Sequence, residues 1–195
     1  MRILVTAFGP FDGRPENASS LALRGLKREF PWINTRVLPV DSVLGPARMV
    51  RALRQLRPDA VVMLGEAAGS KTLRLERIAR NELDFSIPDA AGRQPRATAI
   101  HPDAPSFLRS TLPCESIRAA LEAAGHAVTL SDDAGRYLCN QVMFRALQQI
   151  QQIGKPAIPC RAGFIHVPLA GEYPTSRVVD ALGLVIRRLV CHQFR

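Results

Sequence analysis

The sequence predicts a three-layer α/β/α sandwich around a mostly parallel central sheet, and three observations carry that prediction. Short apolar runs rich in β-branched residues alternate with longer amphipathic stretches. The alternation runs the length of the chain, which is the order that lays helices on both faces of a parallel sheet. The chain is also large enough to fill a core between those layers. Its 195 residues are 47% hydrophobic and 22% charged, close to the soluble globular average, and a domain of about 150 residues already buries about 70% of its unfolded surface. One domain over 1–195 is expected, since no linker, internal repeat or low-complexity tract interrupts the pattern.

Taken in order, RILVTAF (2–8) reads as the first strand and SSLALRGLKREF (19–30) as the helix after it, with Asn17 placed to cap a helix from about residue 18. TRVLPV (35–40) is the next strand. GPARMVRALRQL (45–56) is a helix whose Arg48, Arg51 and Arg54, with Arg57 just beyond, oppose Met49, Val50, Leu53 and Leu56. AVVMLG (60–65) is a strand, and LRLERIARNELDFSI (73–87) alternates partially, which suits an added strand pair. Residues 88–113 contain five prolines and read as a long surface excursion of the kind that serves as a lid or binding loop. CESIRAALEAAG (114–125) is a helix, HAVTLS (126–131) a strand, LCNQVMFRALQQI (138–150) a helix, AGFIHVP (162–168) a strand, and 175–192 the last helix.

The balance of charges, +9 with a pI near 10.4, invites a nucleic-acid reading. The basic residues are spread from Arg2 to Arg195 without interleaved aromatics, and the arginine stripe at 48–57 is a solvated helix face, so no nucleic-acid partner is expected. No run of about 18 apolar residues occurs, and the N-terminus lacks a signal-type apolar core with a cleavage site. A soluble cytoplasmic protein with no membrane partner is expected. Cys114, Cys139, Cys160 and Cys191 are widely spaced with no CxxC or Cys/His cluster, so reduced thiols are expected, with no metal site and no cofactor.

Ligands of open α/β sheets bind beyond the carboxyl ends of the strands. Three chemically capable residues fall at such places. Cys139 follows the 126–131 strand at the start of a helix, where the helix N-terminus favours a thiolate. His166 sits near the end of the 162–168 strand, and Glu76 follows the 60–65 strand and its Gly-containing loop. A thiol, an imidazole and a carboxylate make a nucleophile, a base and an orienting group. Each also has a plainer reading. Cys139, Met143 and Leu147 form one helical core stripe, His166 fits a core or strand-end histidine, and Glu76 beside Arg74 and Arg77 fits a surface ion partner. Spacing leaves both readings open.

Four phrases in order, LVTAFGPFDG, LERIARN, SDDAGRYLCNQVMF and GFIHVPL, resemble pyroglutamyl peptidase I, also called pyrrolidone-carboxylate peptidase, over nearly the whole chain. The family pattern S-x-x-A-G-x-Y-x-C-N falls on Ser131, Ala134, Gly135, Tyr137, Cys139 and Asn140; F-I-H-V-P falls on His166; and the glutamate before R-x-A-x-N falls on Glu76, followed by Arg77, Ala79 and Asn81. The resemblance implies a cysteine peptidase that removes an N-terminal pyroglutamyl residue from peptides, on an α/β/α sandwich and often as a homotetramer, with Cys139, His166 and Glu76 as catalytic residues. It also implies ring-packing aromatics at Phe8 and Phe11, with Asn17 and residue 66 near the substrate.

The chain departs from the family pattern around that pocket. Glu66 stands where the family commonly has glutamine, Ala68 and Ser70 replace a glycine and an arginine, Asp12 replaces a glycine, Gly9 stands where an acidic residue is common, and Ala18 replaces a proline. A carboxylate can accept from a lactam N–H but cannot donate to its C=O, so weakened binding is expected of an unpaired Glu66. A related amidase with another N-terminal substrate is the alternative this substitution raises, and a non-catalytic basic binding protein is a more distant one.

Overall fold

A computed structural model of the chain describes residues 1–153 and 160–191. Its elements run β1 (Ile3–Phe8), α1 (Ala18–Glu29), β2 (Asn34–Leu38), α2 (Leu44–Leu56), β3 (Ala60–Ala67), β4 (Leu73–Glu76), β5 (Ile78–Arg80), β6 (Phe107–Arg109), α3 (Cys114–Ala123), β7 (Val128–Ser131), α4 (Leu138–Gln152), β8 (Arg161–Pro168) and α5 (Thr175–Cys191). His192, the last residue of the expected final helix, lies outside the described residues.

Six strands form one sheet in the order β2-β1-β3-β8-β4-β7. Strands β1, β2, β3 and β8 are mutually parallel. Strand β4 pairs antiparallel with β8 and parallel with β7, so the last two strands run against the other four. This corrects the placement of the three candidate residues at carboxyl ends pointing one way. Glu76 ends β4 but lies opposite Phe164, inside β8.

Period-two alternation divides the sheet residues between two cores. Ile3, Val5, Val62, Leu64, Ile165 and Val167 face α1, α3 and α5. Leu4, Phe8, Val61, Met63, Ala162 and Phe164 face α2 and α4. Helices thus cover both faces, as the parallel strands require. The expected added strand pair is divided. The chain turns out of the sheet at Arg77, and β5 pairs antiparallel with β6 in a separate two-stranded ribbon.

The 88–113 excursion is fastened down rather than loose. Buried Asp89 accepts hydrogen bonds from Ser42 N and Oγ, Ala91 N and Arg93 N. Burial works against that carboxylate, yet these donors hold it down at about 2.

Candidate active site

Gly65 and His166 are register partners in the β3–β8 pairing, on the sheet face that α4 covers. A Cβ at Gly65 would lie 2.8 Å from the Cys139 Sγ and 2.7 Å from Phe164 Cζ. The absent side chain is therefore the space the thiol occupies. Cys139 is the second residue of α4, and the turn that delivers it uses Gly135 at φ +82°, a left-handed conformation that suits glycine. Tyr137 supplies no side-chain cap to α4, which leaves first-turn N–H groups open beside the sulfur.

His166 interacts with Cys139 on one side and is hydrogen-bonded to Glu76 on the other, with 2.8 Å between Nδ1 and Glu76 Oε1. Glu76 and His166 are diagonal neighbours across the antiparallel β4–β8 pair, a separation that long side chains span. With Nδ1 given to the carboxylate, Nε2 is the nitrogen left for the thiol. Burial lowers the affinity of His166 for its proton, but interaction with the Cys139 charge, followed by the hydrogen bond and charge of Glu76, overcomes it and raises the imidazole to about 9. An imidazolium between two acidic partners is the arrangement that keeps a sulfur nucleophilic and a proton ready for a leaving group.

Glu76 is fully buried, which removes its reading as a surface ion partner. Its Oε1 accepts from His166 Nδ1, from Arg74 Nε at 3.2 Å and from Arg74 Nη2 at 2.9 Å, while its Oε2 is buried without a hydrogen-bond partner. Arg74 Nη2 also donates to the Asp133 carbonyl in the turn leading to Cys139. The sequence reading passed over Arg74 as a charged neighbour. Its one signal was a cation two residues before Glu76, hence on the same strand face. Asn140 was a motif match without a role. Its Oδ1 accepts from Arg80 N, and its Nδ2 donates to the carbonyls of Arg80 and Glu82.

The expected substrate-binding residues divide. Phe11 stacks near Tyr137 with ring centroids 5.9 Å apart, and Tyr137 meets Phe85 at 4.3 Å, forming an aromatic group two residues from Cys139. Phe8 is almost wholly inside the α2/α4 core. Asn17 caps α1, its Oδ1 accepting from Ser19 N. Glu66 follows Gly65, so alternation sends its side chain to the opposite face, where it accepts from Ala18 N and pairs with Arg14 at 2.8 Å. Its charge is compensated, and this corrects the expectation of an unpaired carboxylate at residue 66. Among the described residues, no group of three or more His, Cys, Asp or Glu side chains could hold a metal ion, and no helix is long and apolar enough to cross a membrane.

A thiol, an imidazole and a buried carboxylate in series, on an α/β/α sandwich, describe the class of cysteine peptidases. The chain belongs to the pyroglutamyl peptidase family, whose model matches residues 1–183. The family consists of cysteine peptidases that remove N-terminal pyroglutamyl residues, and this chain is one of them. It is 39% identical over 170 residues to the pyrrolidone-carboxylate peptidase of Deinococcus radiodurans, covering 85% of this chain and 77% of that one. With the Pyrococcus furiosus pyrrolidone-carboxylate peptidase it is 37% identical over 188 residues, covering 94% and 86%. The pyrrolidone carboxyl peptidase structure from Thermococcus litoralis superposes with a TM-score of 0.88 at 31% identity, over 100% of this chain and 96% of that one.

Proposed function

We propose that Cys139 is the nucleophile, His166 the general acid and base, and Glu76 the residue that orients and charges His166. The observation that supports this most directly is the series Cys139–His166–Glu76, half-buried at the thiol and buried at the other two, with Nδ1 committed to the carboxylate. The Cys139 thiolate attacks the carbonyl that joins the pyroglutamyl ring to the next residue. Its S–C bond forms as the C–N bond breaks, and the departing amine takes the proton from His166. Water then gives a proton to neutral His166 and attacks the thioester, and the S–C bond breaks to return the thiolate. The open backbone N–H of Cys139 is suited to the oxyanion, a contact worth about 3 kcal/mol in comparable sites.

Phe11, with Tyr137 beside it, offers the apolar wall for the lactam ring, and Phe8 backs that wall from the core. Asn17 and Glu66 act at one remove, by fixing the start of α1 and the 9–17 loop. We also propose a homo-oligomer, a tetramer as the family resemblance implies, in the cytoplasm, where its four free cysteines would stay reduced.

The test is release of a fluorophore from a pyroglutamyl anilide with an alanyl anilide as control. The wild type should cleave the first and spare the second, and Cys139→Ser should lose essentially all turnover. Full activity in Cys139→Ser would overturn the assignment, as would iodoacetamide modifying another cysteine first and abolishing activity.

A further inference from the structure

Glu76 presents a problem that the catalytic cycle sharpens. It is wholly buried, and only one of its oxygens is hydrogen-bonded. A buried carboxylate with so few hydrogen-bond partners needs a cation beside it to offset its lost hydration. In the resting state two cations are there, His166 at 2.8 Å and Arg74 at 2.9 Å, both on Oε1. The reading of His166 as general acid, on which the following step rests, has the imidazole lose its proton when the amine departs. From then until water is deprotonated, Arg74 is, among the described residues, the cation left on Glu76.

We propose that Arg74 is a positioning residue that holds Glu76 aimed at Nδ1 during the half-reaction in which His166 is neutral. The imidazole tautomer shows why this matters. An ionised Glu76 can only accept, so it fixes the proton on Nδ1 and leaves Nε2 bare as the base that takes a proton from water. A Glu76 turned away from Nδ1 no longer fixes that tautomer. Where the imidazole proton then sits on Nε2, the base for thioester hydrolysis is gone. Two Arg74 donors converge on Oε1, Nε at 3.2 Å and Nη2 at 2.9 Å, and restrain that oxygen where His166 Nδ1 meets it. The remaining bond of Arg74, to the Asp133 carbonyl at 2.9 Å, ties the same guanidinium to the turn that carries Cys139 into place. Across the pair, β3 contributes Gly65 on this face, so no other side-chain charge enters from that strand.

The two half-reactions separate this role from a merely structural one. A pyroglutamyl ester of a weakly acidic phenol reports acylation as a burst of phenol, which takes its proton from His166, and thioester hydrolysis as the steady rate that follows. In Arg74→Met the burst should stay within about twofold of wild type, because protonated His166 still pairs with Glu76 and holds it in place. The steady rate should fall on the order of tenfold to a hundredfold, as for other losses of catalytic alignment. Arg74→Lys, which keeps the cation, should recover most of it. Glu76→Gln is the control. If it is slow while Arg74→Met turns over like the wild type, the proposal is overturned and the triad stands. If burst and steady rate fall together in Arg74→Met with a lowered Tm, Arg74 serves only the fold. If Glu76→Gln itself turns over at the wild-type rate, the triad reading falls, and the role of Arg74 with it.

Discussion

Gly65 and Glu66 are consecutive in β3 and show how much the direction of a side chain decides at the scale of single residues. Gly65 faces α4, and its missing Cβ is the room for a sulfur 2.8 Å from where that atom would sit. Glu66 faces α1 and spends its charge on Arg14 and the Ala18 N–H. Beside Gly65, His166 carries a testable pH dependence. Its folded value, about 9, lies above the ordinary 6.5 because Cys139 and Glu76 outweigh burial. The protonated form is thus favoured by the fold. The stability this contributes is fully present below the unfolded value and lost as pH rises from about 6.5 through about 9. Activity that needs the imidazolium should fall over the upper part of that window. Glu76→Gln, which removes one of the raising charges, should move the alkaline limb of kcat/KM to lower pH. A profile of kcat/KM against pH for both proteins checks this, and an unmoved limb would disconnect Glu76 from His166.

Helix α4 and the turn before it are held to the rest of the molecule by polar contacts as well as by core packing. Arg77 pairs with Asp132, Arg136 with Asp133 and Glu82, and Arg74 with the Asp133 carbonyl. Asn140, fully buried in the first turn of α4, satisfies one backbone N–H and two carbonyls of the 80–82 segment. Asn140→Ala should strand those groups and cost about 1–3 kcal/mol, read as a lower urea midpoint with an unchanged slope. Its kcat should fall as well, because the same turn of helix carries the thiol. The helix itself was legible from the four-residue spacing of Cys139, Met143 and Leu147. Its anchor was not, because an asparagine in a helical phrase does not announce which distant backbone it binds. Strand β4 was harder still. Four residues of partial alternation give no direction, and its antiparallel pairing with β8 is settled only by what lies beside it.

For the molecule as a whole, the open question of assembly meets a specific surface. Trp32, Val37, Val43 and Leu44 are exposed around the edge strand β2, and Ile87 and Phe107 are exposed near the ends of the long excursion. None of the large exposed apolar side chains lies on α5. An unpaired edge with apolar neighbours is what a protein covers or protects. Light scattering at micromolar concentration should therefore give a mass of several chains, and Val37→Lys with Leu44→Lys should lower it if the β2 edge is the contact. A monomer with full activity would remove the oligomer.

By itself the sequence determined the layer order, because alternating strand and helix periods admit few other foldings. It also carried the candidate carboxylate, thiol and imidazole, one each in three of the four phrases that resemble the family. Tertiary structure alone decided three things. It turned β4 and β7 against the other strands, so that Glu76 reaches His166 diagonally across a ladder rather than from a neighbouring strand end. It sent Glu66 away from the thiol and gave it a counter-ion. It also set Arg74 on a buried carboxylate oxygen shared with His166. Each depends on which backbone lies next to which, and the energy of a charge depends on that neighbour far more than on the residue beside it in sequence.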